Sequence, residues 1–295
     1  MHIPVLLKEV LELANPQPGE FFIDGTFGSG GHAKEILKRV GKEGKLLAVD
    51  WNEDFEEKLD SRLRGNDKEG GNDKKQVIKI EGNYADLAEI LEKKGLEKAD
   101  GLVLDLGFSS EQLEAGRGFN FSKREEPLLM TYNDEMEPVK EVLKKITVKE
   151  LEKIIRDYSG ERYAGRIAKA IKAKRIETNK DLAEAIREAV PKGYEKGRID
   201  AATRTFQALR IYANKELENL EKVLKDLPRI LKSGGRAVII SFHSLEDGLV
   251  KKYFKNLAKE GRAEILTPKP VKARAQEVAD NPRSRSALLR SIKIN

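Results

Sequence analysis

The sequence predicts an α/β chain: a parallel sheet with crossover helices, interrupted by an all-helical segment. Three observations predict it. Short β-rich runs ending in acidic or small residues alternate with helical patterns over residues 21–106. A glycine-rich turn follows the first of these runs, and from about Glu114 to Ile199 the β alternation stops before resuming.

The strands are read at "FFID" (21–24), "KLLAVD" (45–50), "QVIKIE" (76–81) and "GLVLDL" (101–106). After the first, Ala33, Ile36, Leu37 and Val40 recur at helical spacing, and Gly41 is a stop. "DSRLRGNDKEGGNDKK" (60–75) is polar, glycine-rich and repeats Gly-Asn-Asp-Lys, which reads as a surface insertion. In the segment without strands, "PVKEVLKKITVKELEKIIRDY" and "ERYAGRIAKAIKAKR" carry helical periodicity. "TNKDLAEAIREAV" opens with Thr178 three residues before Asp181, a capping-box-like start. Beyond it, "NKELENLEKVLKDLPRIL" reads as a helix, "GGRAVIISFH" as a buried strand, and "AEILT" and "LLRSIKI" as two late strands. Antiparallel pairing of the last two would give a seven-stranded sheet. The expected organisation is a sheet domain in two parts, 1–113 and 200–295, with a helical domain inserted at 114–199.

A chain of 295 residues is long enough to bury a sizeable core. It has no cysteine, which excludes disulfides, thiolate metal sites and a cysteine nucleophile and suits a reducing compartment. The longest apolar stretch, Ala237 to Phe242, is too short to span a bilayer, and no basic-then-apolar leader pattern opens the chain, so a cytoplasmic location is expected. The net charge of +6 permits a nucleic-acid partner without demanding one. The excess is local: "RYAGRIAKAIKAKR" (162–175) holds six basic residues and no acid. Arg162, Arg166, Lys169 and Lys172 fall on one helical face, opposite Ala164, Ile167 and Ile171, either as a solvated face or as a phosphate contact. "NPRSRSALLR" (281–290) adds Arg283, Arg285 and Arg290.

Gly28-Ser29-Gly30-Gly31-His32-Ala33 fits G-x-G-x-x-A between a strand and a helix, and Asp50 ends the next strand. Nicotinamide and S-adenosylmethionine (SAM) enzymes both place an acid there. No Lys-Ser or Lys-Thr follows the turn, which excludes a P-loop. Asp24 precedes the turn, where its charge would repel a pyrophosphate but attract the cationic amine of a methionine moiety. The plain alternative is a hydrogen bond to the amides of Thr26 or Phe27. "DLGFSSEQL" (105–113) closes the fourth strand, at the end where open α/β sheets bind ligands. Asp105 is a candidate to accept from an exocyclic base amine or to bind cofactor, and Phe108 to stack on a base; a capping Asp and a core Phe are the alternatives. "SFHSLED" (241–247) gathers Ser241, His243, Ser244 and Asp247, but the absence of a G-x-S-x-G elbow argues against a hydrolase triad. His243 is then a structural or substrate-side hydrogen-bonding residue. The three histidines, His2, His32 and His243, lie too far apart in sequence to suggest a metal site.

Eight segments carry a resemblance over nearly the whole chain: "HIPVLLKEVLE", "DGTFGSGGHA", "DLGFSSEQL", "GRGFNF", "ERYAGRIAKAI", "ATRTFQALRI", "GGRAVIISFHSLED" and "NPRSRSALLR". In this order they resemble the RsmH (MraW) family of SAM-dependent methyltransferases, which modify N4 of a cytidine in the decoding region of bacterial 16S ribosomal RNA. The resemblance implies a class I methyltransferase, Rossmann-like seven-stranded sheet with an inserted all-helical domain that helps grip RNA. It implies SAM contacts at Gly30, Gly31, His32, Asp50 (ribose), Tyr84 (adenine), Asp105 and Gln112. Asp105 is the candidate catalytic residue; the candidate substrate contacts are Phe108, His243, Arg162, Arg166, Lys169, Arg283 and Arg285. The expected partner is 16S ribosomal RNA within the small ribosomal subunit, with no membrane and no metal, and a homodimer is left open. Three places depart from the family pattern. "PLLMTYND" (127–134) stands where Pro-Leu-Asp-Met-Arg-Met-Asp is usual, Asp200-Ala201 replaces His-Pro, and Glu111 replaces a proline. Two rival readings remain: a nicotinamide-dependent oxidoreductase, resting on the same glycine turn, and a ribosome-assembly protein that binds RNA and keeps a vestigial cofactor site.

Overall fold

The computed structural model describes residues 3–51, 76–107, 115–122, 124–194 and 200–295. The expected surface insertion at 60–75, and Phe108, Glu111 and Gln112, lie outside the described residues. The chain divides into a sheet unit, Met1–Gly107 with Leu217–Asn295, and a helical unit, Phe108–Glu216.

In the sheet unit the described elements run α1 (Leu7–Ala14), β1 (Phe21–Asp24), α2 (Gly31–Val40), β2 (Lys45–Asp50), β3 (Val77–Glu81), a 3-10 turn (Tyr84–Asp86), α3 (Leu87–Lys93) and β4 (Ala99–Asp105). The helical unit supplies α4 (Val139–Lys145), α5 (Val148–Ser159), α6 (Ala164–Lys172), α7 (Asn179–Ala189) and α8 (Ala201–Ala213). The sheet unit then continues with α9 (Glu216–Ile230), β5 (Leu231–Ser241), α10 (Ser244–Lys259), β6 (Ala263–Ile265), β7 (Val271–Lys272), α11 (Ala275–Asp280), a 3-10 turn (Pro282–Ser286) and β8 (Leu288–Ile294).

The strand order is β3-β2-β1-β4-β5-β8-β6, with β7 pairing β8 off this path. All seven expected strands lie on the path, and the two-residue β7 makes the sheet eight-stranded. The first five strands are parallel, and β8 enters antiparallel between β5 and β6. A strand's side chains alternate between faces, so the apolar runs feed two layers. Phe21, Ile23, Leu47, Val49, Leu102, Leu104, Ala237 and Ile239 meet Leu87 of α3, Leu224 of α9 and Phe254 of α10. Phe22, Leu46, Ala48, Val103, Val238 and Ile240 meet Val10 of α1 and Ile36 of α2.

The helical unit has its own core, which includes Leu143, Leu151, Ile155, Ile167, Ile171, Leu182 and Ile186. Thr147 and Thr178 start α5 and α7 with reciprocal capping boxes to Glu150 and Asp181, so the Thr178 reading holds. Ala201, Ala202, Phe206 and Leu209 of α8 sit in this same core. The expected boundaries at 113/114 and 199/200 therefore fall at 107/108 and 216/217. An amphipathic helix joins whichever core meets its apolar stripe, and periodicity alone does not name that core.

Candidate functional site

The site is built where β1, β2 and β4 end. Asp24 closes β1 and is buried. The turn after it is tied to both neighbouring strands: Gly25 N–H donates to the Val103 carbonyl and Phe27 N–H to the Val49 carbonyl, each at 3.0 Å. Gly28 N–H donates to Asp50 Oδ2 at 2.6 Å, and the Thr26 hydroxyl accepts from Asp105 N–H at 2.6 Å. The glycines are demanded by space and by conformation. A Cβ on Gly25 would lie 2.5 Å from Leu104 Cδ2. Gly30 has φ 74°, and a Cβ there would lie 2.4 Å from the Phe27 ring. Gly28, at φ 51°, would place its Cβ against nothing nearer than the Thr26 carbonyl at 3.8 Å.

The carboxylates at this edge are electrostatically unusual. Burial pushes the Asp24 carboxyl up to about 6, against the pull of His32 and the Thr26 amide, which donates to Oδ1 at 3.2 Å. The turn-amide contact thus exists, and it does not keep the acid in its ordinary range. Burial also pushes Asp105 up to about 7, against a hydrogen bond from the Gly107 amide. Its Oδ1 is buried with no hydrogen-bond partner among the described residues. Burial lowers the His32 imidazole below its ordinary value, opposed by Asp24. His32 Nε2 lies 2.9 Å from the Val5 carbonyl, to which it donates. The side chain is thereby committed to the fold, and only the His32 main chain remains for the turn.

Tyr84 begins the 3-10 turn that Asn83 caps by accepting from the Ala85 amide at 2.8 Å. Tyr84 packs in the core, its Cβ 3.2 Å from where a Gly25 side chain would begin. At the end of β5, His243 caps α10: its Nδ1 accepts from the Glu246 amide at 3.4 Å, while Glu246 accepts from the Phe242 and His243 amides. Asp247 is bound by Arg290 through two hydrogen bonds of 2.7 and 3.0 Å and takes no part in orienting His243. A Ser-His-Asp relay is thereby excluded, and Arg290, read with the exposed arginines of 281–290, is an internal residue. Arg283 and Arg285 are exposed on the 3-10 turn 282–286.

In the helical unit the basic run is only partly a solvent face. Arg162 precedes α6, which begins at Ala164, while Arg166 and Lys169 lie on it, and all three are exposed. Lys172 donates to the Leu143 carbonyl at 2.6 Å near the end of α4, a structural cap that the helical-face reading missed. Lys174 and Arg175 are ion-paired with Glu188 and Glu177. The diverged 127–134 segment is internally satisfied. Arg117 donates to the Thr131 carbonyl and hydroxyl, each at 2.7 Å, and Tyr132 donates from its hydroxyl to Glu216 at 2.7 Å. Asp200, in place of the usual histidine, caps α8 by accepting from the Ala202 amide at 2.7 Å.

Two contributors escaped the sequence reading. Thr26 fixes the Asp105 main chain, and a lone threonine inside a glycine turn gives no warning of it. The segment Ile3–Leu6 is held by Asn281, which donates to the Ile3 carbonyl at 3.0 Å, and by Glu277, which accepts from the Leu6 amide at 2.7 Å. Pro4 in turn lies against Gly31, 2.7 Å from where a Cβ would sit.

A parallel sheet with one antiparallel strand between its last two, a glycine turn after β1 and acids closing β1, β2 and β4 define a class I methyltransferase fold. The family model described as "MraW methylase family" matches residues 1–295, and the chain belongs to that family. A relative from Thermotoga neapolitana is 42% identical over 299 residues, covering 99% of this chain and 96% of its own. One from Syntrophotalea carbinolica is 40% identical over 314 residues, covering 99% and 97%. Both are named ribosomal RNA small subunit methyltransferase H. A solved rRNA methylase from Streptococcus thermophilus aligns over 100% of this chain and 98% of its own, at 12% identity and a TM-score of 0.47; the family assignment rests on the sequence relatives. No helix among the described residues is long and apolar enough to cross a membrane.

Proposed function

We propose that this chain transfers the methyl group of SAM to N4 of a cytidine in the decoding region of 16S ribosomal RNA. Family membership and the names of its relatives support the methyl-transfer and small-subunit RNA parts of the reading. The target atom and region rest on the eight-segment resemblance. The observation that carries the site is Asp105 Oδ1, a buried carboxylate oxygen without a partner among the described residues, beside a glycine turn with space at Gly28.

The residues fit the cofactor. The main chain of Gly31 and His32, at the start of α2, would supply amides; Gly30, whose own amide donates to the Phe27 carbonyl at 2.7 Å, would shape the turn around the cofactor, and Tyr84 would lie near the adenine. Asp50 holds the Gly28 amide and, having several acceptor positions on its carboxylate, would also accept from ribose hydroxyls. Asp24 is ionised above about pH 6 and favours a cationic amine. The resemblance adds Gln112, outside the described residues, which would complete the set. When bound, SAM supplies an electrophilic methyl group on a sulfonium centre.

The chain's own contribution is orientation and exclusion of water. A cytidine amino group is conjugated and weakly nucleophilic, so it must be turned toward its attacking form. Asp105, its carboxyl raised by burial to about 7, would accept an N–H hydrogen bond from N4 and would take the proton that N4 sheds on methylation, in which the N–CH3 bond forms as the sulfonium C–S bond breaks. Phe108 stacks on the base, which has to leave its own stack to reach the site. His243, Arg283 and Arg285 serve the substrate side.

Incubation with labelled SAM and small ribosomal subunits lacking the modification, followed by digestion to nucleosides, tests this reading. N4-methylcytidine is the expected product. Binding of RNA and SAM with no methylated nucleoside would replace it with the assembly-protein reading.

A further inference from the structure

We propose that Arg162, Tyr163, Arg166 and Tyr194 form a platform on the helical unit that docks single-stranded RNA. Arg162 and Arg166 hold a phosphate, and the adjoining base stacks on the arginine–tyrosine surface. The inference rests on the proposed RNA substrate and names residues that recognise it.

The platform is built from beneath by Glu161, which is 1% exposed. Its carboxylate accepts from Arg204 Nε at 2.6 Å, from the Tyr194 hydroxyl at 3.1 Å and from the Tyr163 amide at 2.9 Å. These bonds set the two rings edge to face, with centroids 4.6 Å apart at 87°. Arg162 lies over both, 4.8 Å from the Tyr163 centroid and 4.9 Å from that of Tyr194, and donates to the Tyr163 hydroxyl at 2.8 Å. Arg166 approaches the Tyr163 ring as well, at 5.6 Å.

Two guanidinium groups over one ring repel each other, and the ring quadrupole offsets only part of that repulsion. The nearby acids are already committed: Glu161 to Arg204, and Glu152, which lies against Gly165, to Arg156. Lys169 lies three residues beyond Arg166 on the same face and, like it, has no carboxylate partner among the described residues. The rest of the basic run is used internally or ion-paired, which leaves these three cations as a concentrated surplus. A phosphodiester supplies the missing charge in a geometry that planar guanidinium groups match. The arginine-covered, edge-to-face rings favour nucleic acid over an acidic peptide, because the bases bring flat π-faces together with the phosphate anions.

The test uses the full chain with undermethylated small ribosomal subunits and with protein-free 16S RNA. In the Arg162→Ala/Arg166→Ala double variant, RNA affinity falls about tenfold or more and the salt slope of binding decreases by about 2. SAM affinity is unchanged. The Arg162→Lys/Arg166→Lys pair restores the slope but not the full affinity, since an ammonium neither stacks nor forks. RNA affinity and slope equal to wild type in the alanine variant would overturn the platform. So would loss of poly-glutamate binding with RNA binding intact, which would reassign the patch to an acidic protein. Wild-type protein that binds RNA through the patch yet methylates nothing keeps the platform and removes the proposed function. Normal methylation with an unaffected alanine variant does the reverse.

Discussion

The buried acids of the helical unit and those at the strand ends of the sheet unit are held in different ways. In the helical unit Glu126, Glu161 and Glu216 are buried, and each meets an arginine: Arg124 at 2.7 Å, Arg204 at 2.6 Å and Arg210 at 2.8 Å. At the strand ends of the sheet unit, Asp24 and Asp105 have no lysine or arginine partner among the described residues. Asp24 faces His32, whose own burial disfavours its charge, accepts from the Thr26 amide, and is raised further by Asp105 and Asp50. The sheet unit is able to pair acids elsewhere, as Asp247 with Arg290 and Glu20 with Arg236 show. An acid buried without a cation costs stability, and retaining two at one edge points to a ligand that makes use of them. Glu246 is also buried with no lysine or arginine partner among the described residues, but its carboxylate is spent on the Phe242 and His243 amides; the Asp105 Oδ1, with no partner among the described residues, is what marks the site.

The sharpest way to break this contrast is Asp105→Asn. Removing the charge of this acceptor costs about 2–3 kcal/mol of interaction, so methyl transfer falls roughly 30- to 150-fold while the fold is retained. A labelled-SAM assay checks the first, and urea denaturation the second. The same variant exposes the cost of the unpaired acid. Because the folded-state carboxyl is raised from 3.8 to about 7, the folded protein binds the extra proton, and wild-type stability falls relative to the variant as pH rises between those values. The slope of the difference is up to about 1.4 kcal/mol per pH unit and vanishes above about pH 7. Denaturation midpoints of both proteins across pH 4 to 8, without SAM, measure it. A flat difference would mean that Asp105 finds a partner in solution.

Glu161→Gln tests the opposite case. Arg204 loses its charge partner in a mostly buried setting, and the helical unit is destabilised by about 2 kcal/mol with SAM affinity unchanged. Gly30→Ala comes next, at about 1–2 kcal/mol, from its positive φ and the Phe27 ring, and it weakens SAM binding in an equilibrium titration. Arg175→Ala, which breaks an exposed pair with Glu177, shifts stability by less than about 0.5 kcal/mol.

Much of this architecture was legible because its signals are local. The runs ending at Asp24, Asp50 and Asp105 are strands because continuous apolar sequence suits a sheet covered on both faces. Gly28 and Gly30 do adopt the positive φ that a tight strand-to-helix turn requires. Thr178 caps α7 because its partner is three residues away. The helix Leu7–Ala14 has no clear local signal, since it is short and draws its stability from contacts distant in sequence. Arg236 donates to the carbonyls of Ala14 and Asn15 at its end, and Arg39 to that of Leu11. The membership of α8 was misread for the same kind of reason: its apolar stripe is visible, but the core that receives it is not.

By itself the sequence determined the strands, the glycine turn, the acids that close the strands, the basic run and the family. Each is set by residue type and near-neighbour spacing. Tertiary structure alone decided what each charge does. It buried Asp24 and the Oδ1 of Asp105 with no lysine or arginine partner among the described residues, spent Arg290 and Lys172 inside the fold, and stacked Arg162 and Arg166 on a tyrosine. The same carboxylate or guanidinium is structural or functional according to how much water it keeps and which partner reaches it. Partners distant in sequence settle both quantities, and no local pattern records them.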